Sequence, residues 1–350
     1  MIIDVVKVFF PLTISFTIGV AITPIITHYL YAHKMWKKKA RTQALGGGET
    51  PLFNKLHKDK EVNTPRMGGI VIWGSVILTI ACIWIISFFF PGEITSKLDF
   101  LSRNQTWLPL FTLISASILG LIDDFLTVGG KGGYIAGGIP LSIRILVVGI
   151  IGLIGAWWFF DKLEVASIII PFSGPLALGW LFIPTFVLIM IAVFSGGVID
   201  GIDGLAGGVM AIIFSAYGVI SFFQNQIDLA AFCAVVVGGI LAFLWFNIPP
   251  ARFYMSETGV LGLTTSLTVV AFLTEQVAVL PIIAFPLFAV SFSVILQIAS
   301  KKFLGRKLFL IAPIHHHFEA LGWPGYKVTM RFWILTVIFA MVGLIIALIG

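Results

Sequence analysis

Charge and sulfur are scarce in this sequence, and nothing in it resembles a water-facing domain. Only 11% of its 350 residues are Asp, Glu, Lys or Arg, while 59% are hydrophobic. Soluble domains carry about a quarter charged residues, so an ordinary globular chain is excluded. The two cysteines, Cys82 and Cys233, both fall inside apolar runs and supply neither a disulfide framework nor a CxxC metal knuckle. Neither Gly46-Gly47-Gly48 nor Gly129-Gly130-Lys131-Gly132-Gly133 completes the GxxxxGK[ST] pattern of a phosphate-cradling loop, which argues against nucleotide hydrolysis by a P-loop. Internal repeats of fixed period and long disordered tails are also missing.

What the sequence has in abundance is apolar runs. A mean hydropathy of +1.06 marks a polytopic membrane protein. Runs of near 20 residues, each able to cross about 30 Å of hydrocarbon, fall at roughly 3–32, 67–90, 107–122, 141–160, 177–199, 205–224, 228–246, 259–274, 277–299 and 329–349. The expected fold is therefore all-α, with about ten transmembrane helices in a single integral membrane domain over 1–350. The first run has Asp4 and Lys7 rather than a basic start and a small-residue cleavage site, and is read as a retained span. Eighteen of the 22 basic residues fall in the loops after odd-numbered runs, among them Lys37, Lys38, Lys39, Arg66 and Arg144, and four fall on the other side. That bias places the odd-numbered loops in the cytoplasm and both termini outside.

Polar groups gather in four places, all at cytoplasmic ends of runs. Asp123 and Asp124 close the third run, where two adjacent carboxylates would meet the negative end of a helix dipole and repel each other. A magnesium ion, a nearby lysine or a raised carboxyl pKa would each answer that repulsion. Asp200-Gly201-Ile202-Asp203-Gly204 sets two carboxylates on one face if helical, with glycines that admit a ligand to the backbone; either aspartate alone would also serve as a helix cap. Asn247 is followed by Tyr254 and by Ser256-Glu257-Thr258-Gly259, where Ser256 or Thr258 would cap the eighth run and Glu257 is a lone carboxylate. The last place is Ile314-His315-His316-His317-Phe318-Glu319, which holds half of the six histidines. Consecutive side chains diverge by about 100° on a helix, so at most two of these imidazoles would share one ion. A solvated histidine tract is the plain alternative to imidazoles that act in catalysis or face phosphate. No carboxylate lies mid-run, where it would cost about 3 kcal/mol and would mark a transport path. That pattern favours a surface active site over a transporter.

Together these clusters resemble the polyprenyl-phosphate N-acetylhexosamine-1-phosphate transferases. The likeness runs from Thr64-Pro65 and Met67-Gly68-Gly69 through Asp123-Asp124, Asp200 to Ala206, Trp245-Phe246-Asn247 and Ala312 to Glu319. The histidine motif is the most specific element, because the branch that uses N-acetylglucosamine carries a shorter, arginine-containing version. Ten helices with both termini outside also fit the family. The resemblance implies that a phosphate oxygen of undecaprenyl phosphate attacks the β-phosphate of UDP-N-acetylmuramoyl-pentapeptide, and that UMP leaves with Mg2+ bound. It implies catalytic roles for Asp123, Asp124, His315, His316 and His317, and metal ligation by Glu257, Asp123 and Asp124. Lys60, Asp200, Gly201, Asp203, Asn247 and Tyr254 would bind substrate, Tyr254 as a uracil-stacking aromatic. Membrane lipids are the expected surroundings, nucleic acid is not an expected partner, and a homodimer is compatible with the pattern.

The chain departs from the family at four points. Ser256-Glu257-Thr258-Gly259 stands for Gly-Asp-Thr-Gly, Gly197 for an asparagine, and Thr127 for a lysine three residues after the aspartate pair, while Arg144 matches a basic residue usually found further on; one extra residue also lies between Lys60 and Thr64. If Glu257 is a magnesium ligand in place of an aspartate, its longer side chain requires the backbone to adjust. A UDP-N-acetylglucosamine transferase of the same family is the alternative reading, and a lipid or solute transporter the alternative from another class.

Overall fold

The computed structural model describes residues 2–38, 57, 62–101, 105–130 and 137–350. Ten helices among them are long and apolar enough to cross a membrane. They are span 1 (Ile2–Ala32), span 2 (Ile70–Phe89), span 3 (Trp107–Gly129), span 4 (Leu141–Lys162), span 5 (Gly179–Ile199), span 6 (Leu205–Phe223), span 7 (Ile227–Asn247), span 8 (Ser256–Leu273), span 9 (Phe285–Leu304) and span 10 (Gly325–Ile349). This is a multi-pass membrane protein.

The expectation of an all-helical chain needs one correction. Between spans 4 and 5 an antiparallel hairpin pairs β1 (Ser167–Ile170) with β2 (Gly174–Ala177). Three consecutive isoleucines favour a pleated strand, and Gly174 turns the chain at φ +85°. The hairpin lies at the end of the bundle opposite the histidine stretch.

Span 8 is the innermost helix, and spans 1 and 10 are the outermost. Its sequence explains the placement. Thr264, Thr265, Ser266 and Thr268 make it the least apolar of the ten, and hydroxyls disfavour a lipid-facing position. Thr264 and Thr268 donate back to carbonyls one turn earlier, at 2.8 and 3.1 Å, while the Ser266 hydroxyl crosses to the Pro109 carbonyl of span 3 at 3.1 Å. Spans 3 and 8 pack closely because Gly120 lies against the backbone of Glu257 and Thr258, where a β-carbon would overlap the Glu257 carbonyl. Span 7 packs on spans 1 and 6, and span 10 on span 6. The bundle thereby fixes the ends of spans 3, 4 and 8 relative to one another at the end that carries the polar clusters.

Candidate active site

The third span does not stop at its aspartates. Phe125 to Val128 continue the helix, and Gly130, left-handed at φ +63°, caps it by donating to the Leu126 and Thr127 carbonyls. Asp123 and Asp124 therefore sit inside the helix rather than at its C-terminus. Guanidinium groups supply the answer to their repulsion. Asp124 is fully buried; its Oδ1 accepts from Arg66 Nε at 2.9 Å and pairs with a terminal guanidinium nitrogen of Arg66 at 2.9 Å. Its Oδ2 accepts from the Thr258 backbone N–H at 3.0 Å and the Thr258 hydroxyl at 2.6 Å. Breaking such a buried pair by removing one partner costs about 3–5 kcal/mol, because the remaining charge is left uncompensated.

Asp123 faces another cation. Its Oδ1 accepts the Ile139 N–H in a short hydrogen bond, and its Oδ2 lies 3.7 Å from the Arg144 guanidinium. The same guanidinium donates to Glu257 Oε1 at 2.5 Å. One positive group thus bridges Asp123 of span 3 and Glu257 of span 8. Burial lowers the Arg66 pKa, but attraction to Asp124 outweighs it and holds the group above the ordinary arginine range. Thr258 is a partner of Asp124 and not a helix cap, and no side chain caps span 8.

Residues 200–204 form a turn, so Asp200 and Asp203 do not share a helical face. Gly204, at φ +76°, opens span 6, and neither aspartate caps that helix. Asp200 Oδ2 accepts the Ser256 N–H at 2.7 Å. Burial pushes the Asp200 carboxyl up to about 6, against the Ser256 N–H and Arg66, which pull it down. Ser256 itself is left-handed at φ +57°, a conformation that favours glycine and accounts for the glycine expected at this place in the family. Asp203 Oδ2 accepts the Ala251 N–H at 3.3 Å, and its carbonyl accepts the Thr329 hydroxyl at 3.0 Å. Asn247 clasps the turn: its Oδ1 accepts the Gly204 N–H at 2.9 Å and its Nδ2 donates to the Phe253 carbonyl at 2.7 Å. Tyr254 ties this region to span 2 through its backbone, donating to Pro65 O and accepting from Gly68 N–H, both at 2.8 Å. Lys60 lies outside the described residues.

The histidine stretch folds into a short helix, Ile314–Ala320. Its imidazoles do not all point one way: His317 turns from the other two. His317 Nδ1 accepts the Leu310 N–H at 3.2 Å. His316 Nδ1 meets Glu319 Oε2 at 2.7 Å, and the same oxygen meets His57 Nε2 at 2.9 Å. His315 is fully buried, and neither ring nitrogen has a hydrogen-bond partner among the described residues. The Nε2 atoms of His315 and His316 converge on Gly201, where a β-carbon would lie 2.6 Å from each. Burial, followed by the His316 and His57 imidazoles, holds the His315 pKa well below the ordinary histidine value. Burial acts to raise Glu319, but the hydrogen bonds from His316 and His57 prevail and hold it down at about 2.

One turn therefore joins two chemically different groups, with Asp200 against the carboxylate cluster and Gly201 against the histidines. His57, Arg66 and Glu319 were not among the predicted site residues. In the sequence, His57 is one histidine in a lysine-rich loop, and Arg66 reads as an ordinary cytoplasmic anchor; the only local signal was their position ahead of Met67-Gly68-Gly69.

Residues 106–275, which contain the aspartate pair, the Asp200 turn and Glu257, match the family described as glycosyl transferase family 4. A phospho-N-acetylmuramoyl-pentapeptide-transferase from Chloroflexus aurantiacus is 34% identical over 90% of this chain and 85% of its own length. One from Geobacillus thermodenitrificans is 33% identical over 96% of both chains, and one from Listeria innocua is 34% identical over 84% of this chain and 87% of its own. The fold and the match over 106–275 define a membrane-embedded phosphosugar transferase. Across nearly its whole length, the chain belongs to the phospho-N-acetylmuramoyl-pentapeptide-transferase family of multi-pass bacterial membrane proteins.

Proposed function

We propose that this protein transfers phospho-N-acetylmuramoyl-pentapeptide from its UDP-linked precursor to undecaprenyl phosphate, releasing UMP. The observation that carries the reading is the junction at residues 200–204, where a set of acidic oxygens with two guanidinium groups meets a set of imidazoles. A lipid phosphate oxygen forms a bond to the β-phosphorus, the bond from that phosphorus to the UMP oxygen breaks, and UMP departs. One phosphoanhydride replaces another, so no further energy source is needed. Such a transfer is catalysed mainly by positioning and by placed charge.

Asp123 and Asp124 act on the lipid phosphate side, Asp123 beside Arg144 and Asp124 by fixing Arg66 and the start of span 8. The oxygen donors at the Arg144 position suit Mg2+, which prefers carboxylates and water. Asp123 and Glu257 already converge on one positive group there. They would hold the ion, with Asp124 and Asp200 nearby, and Mg2+ when bound would supply Lewis-acid neutralisation of the diphosphate. Asp200, Gly201 and Asp203 form the nucleoside side, Asn247 keeps their turn in shape, Tyr254 stacks on the base and Lys60 adds positive charge. His315 and His316 face the phosphates across Gly201, and His317 orders their helix. The loop charge bias supports a cytoplasmic site with both termini outside.

The test supplies purified protein with undecaprenyl phosphate, Mg2+ and one UDP-sugar at a time, and measures UMP release. Release is expected with UDP-N-acetylmuramoyl-pentapeptide and to stop when either the lipid phosphate or Mg2+ is omitted. Release with UDP-N-acetylglucosamine in its place would overturn the substrate assignment.

A further inference from the structure

The histidine cluster holds three donor atoms to which the transferase reading gives no part, although the far side of the His316 ring, at Nε2, belongs to it. His57, His316 and Glu319 each offer a donor atom, all within 4.8 Å of one another, and Glu319 Oε2 meets His57 Nε2 and His316 Nδ1 directly. They come from distant parts of the chain, His57 from the loop after span 1 and the other two from the short helix Ile314–Ala320. All three side chains are largely enclosed, at 11%, 6% and 10% relative exposure. Two imidazole nitrogens and one carboxylate oxygen are the donors that zinc accepts in three-ligand sites, whereas magnesium prefers oxygen alone.

We propose that His57, His316 and Glu319 form a binding site for a borderline divalent metal ion of the zinc class, separate from the oxygen-only cluster around Glu257. The geometry is close to what such an ion requires. With metal–ligand distances of about 2.0–2.1 Å, tetrahedral donors stand about 3.3 Å apart. Here the carboxylate oxygen is 2.7 and 2.9 Å from the two nitrogens, and no pair exceeds 4.8 Å. Side-chain adjustments on the order of 1 Å would bring all three to bonding distance. His315 and His317 take no part, because His315 turns toward Gly201 and His317 toward Leu310.

Occupation would change the proton on His316. An ionised carboxylate only accepts, so the Nδ1 of His316 carries its proton toward Glu319 and leaves Nε2 as the acceptor facing Gly201. A metal on Nδ1 moves that proton to Nε2, and the nitrogen beside the Asp200 turn becomes a donor. The site would thus act as a metal-operated brake on any step that needs His316 Nε2 as an acceptor. This consequence for turnover rests on the proposed transferase reaction, while metal binding itself does not.

The experiment titrates Co2+ into purified full-length protein in detergent and records the visible spectrum, followed by competition with Zn2+. One equivalent of Co2+ is expected to give the d–d absorption of a low-coordinate nitrogen and oxygen site, displaced by Zn2+ and not by excess Mg2+. His57→Ala and Glu319→Gln should each weaken Co2+ at least tenfold, and Asp123→Asn should leave the spectrum in place. His57→Cys guards against misfolding as an explanation, since it should restore binding and add a thiolate-to-cobalt charge-transfer band. No band in the wild type overturns the site. So does a band that persists in both His57→Ala and Glu319→Gln, which would report adventitious binding at exposed histidines such as His28 and His33. If binding holds but UMP release ignores Zn2+, the brake is wrong and the site stands.

Discussion

The carboxylate cluster and the histidine cluster meet at one turn yet are built in opposite ways. Asp123, Asp124, Glu257 and Arg144 project from spans 3, 8 and 4, whose ends are fixed by close helix packing, and Arg66 joins them from the lead-in to span 2. Each acid there has an assigned cation. The histidines stand on a seven-residue helix, with a single carboxylate shared between two imidazoles. The first arrangement fixes charge in position, and removing a partner leaves a buried charge alone. In the second, loss of one imidazole still leaves Glu319 with the other. The acidic site is therefore expected to carry more of the stability of the bundle than the histidine site, where a substitution leaves Glu319 one partner.

The largest effects should come from the aspartates. Asp123→Ala and Asp124→Ala are each expected to lower UMP release by more than about a hundredfold, the scale of lost electrostatic positioning. Only Asp124→Ala should also reduce stability by about 3–5 kcal/mol, because it strands Arg66; thermal melts of the two variants side by side test the contrast. Equal melts would mean that the Arg66 pair is not structural. Next come the histidines, where His316→Ala should cost about 10- to 100-fold in turnover, within the general acid–base range, with a change of only a few fold for His317→Ala. Full activity of the triple variant at His315, His316 and His317 would remove the imidazoles from the reaction. Glu257→Gln should slow turnover several-fold and raise the Mg2+ requirement, with Glu257→Asp retaining measurable activity. A Mg2+ titration of the Gln variant that overlays the wild type would exclude Glu257 as a ligand.

The smallest effect is a contrast in pH dependence. Asp200 has its folded pKa raised to about 6 from 3.8, so its contribution to stability is complete below 3.8 and is lost as pH rises through about 6. Glu319 has its value lowered to about 2 from 4.5, so its contribution is complete above 4.5 and is lost as pH falls toward 2. Melting temperature against pH should therefore flatten on the near-neutral side in Asp200→Asn and on the acid side in Glu319→Gln. Identical profiles for both variants and the wild type would rule out the assigned shifts.

The spans were legible because hydrocarbon thickness imposes a length on every apolar run. Span 3 was read too short because hydropathy falls at Asp123, although the helix continues once Arg66 and Arg144 neutralise the pair. The hairpin was missed because its first strand falls between the runs at 141–160 and 177–199, and a four-residue strand is too short to stand out there. Within the candidate site, the acidic and histidine residues were visible as exceptions in an apolar chain, and helix geometry limited to two the imidazoles that could meet at one point, as His315 and His316 do at Gly201. Their partners were not visible. Asp124 and Thr258 are 134 residues apart, and His57 and Glu319 are 262 apart, separations that no local pattern encodes. Arg66 was counted only as an orientation charge, a role that gives no hint of burial against a carboxylate, and the family pattern that singled out Arg144 does not say which carboxylates it meets.

The hydroxyl-rich character of span 8 has a consequence for how the protein is made. A segment with Thr264, Thr265, Ser266 and Thr268 gains less from lipid than its neighbours do. Its Ser266 and Thr265 hydroxyls find the Pro109 and Thr112 carbonyls only when span 3 is already in place. Glu257 is carried at the start of this helix, so it reaches Arg144 only after spans 3 and 4 have been laid down. Chain order during synthesis thus delivers the basic partner first and the acid second, and the charged centre closes as the bundle closes around it.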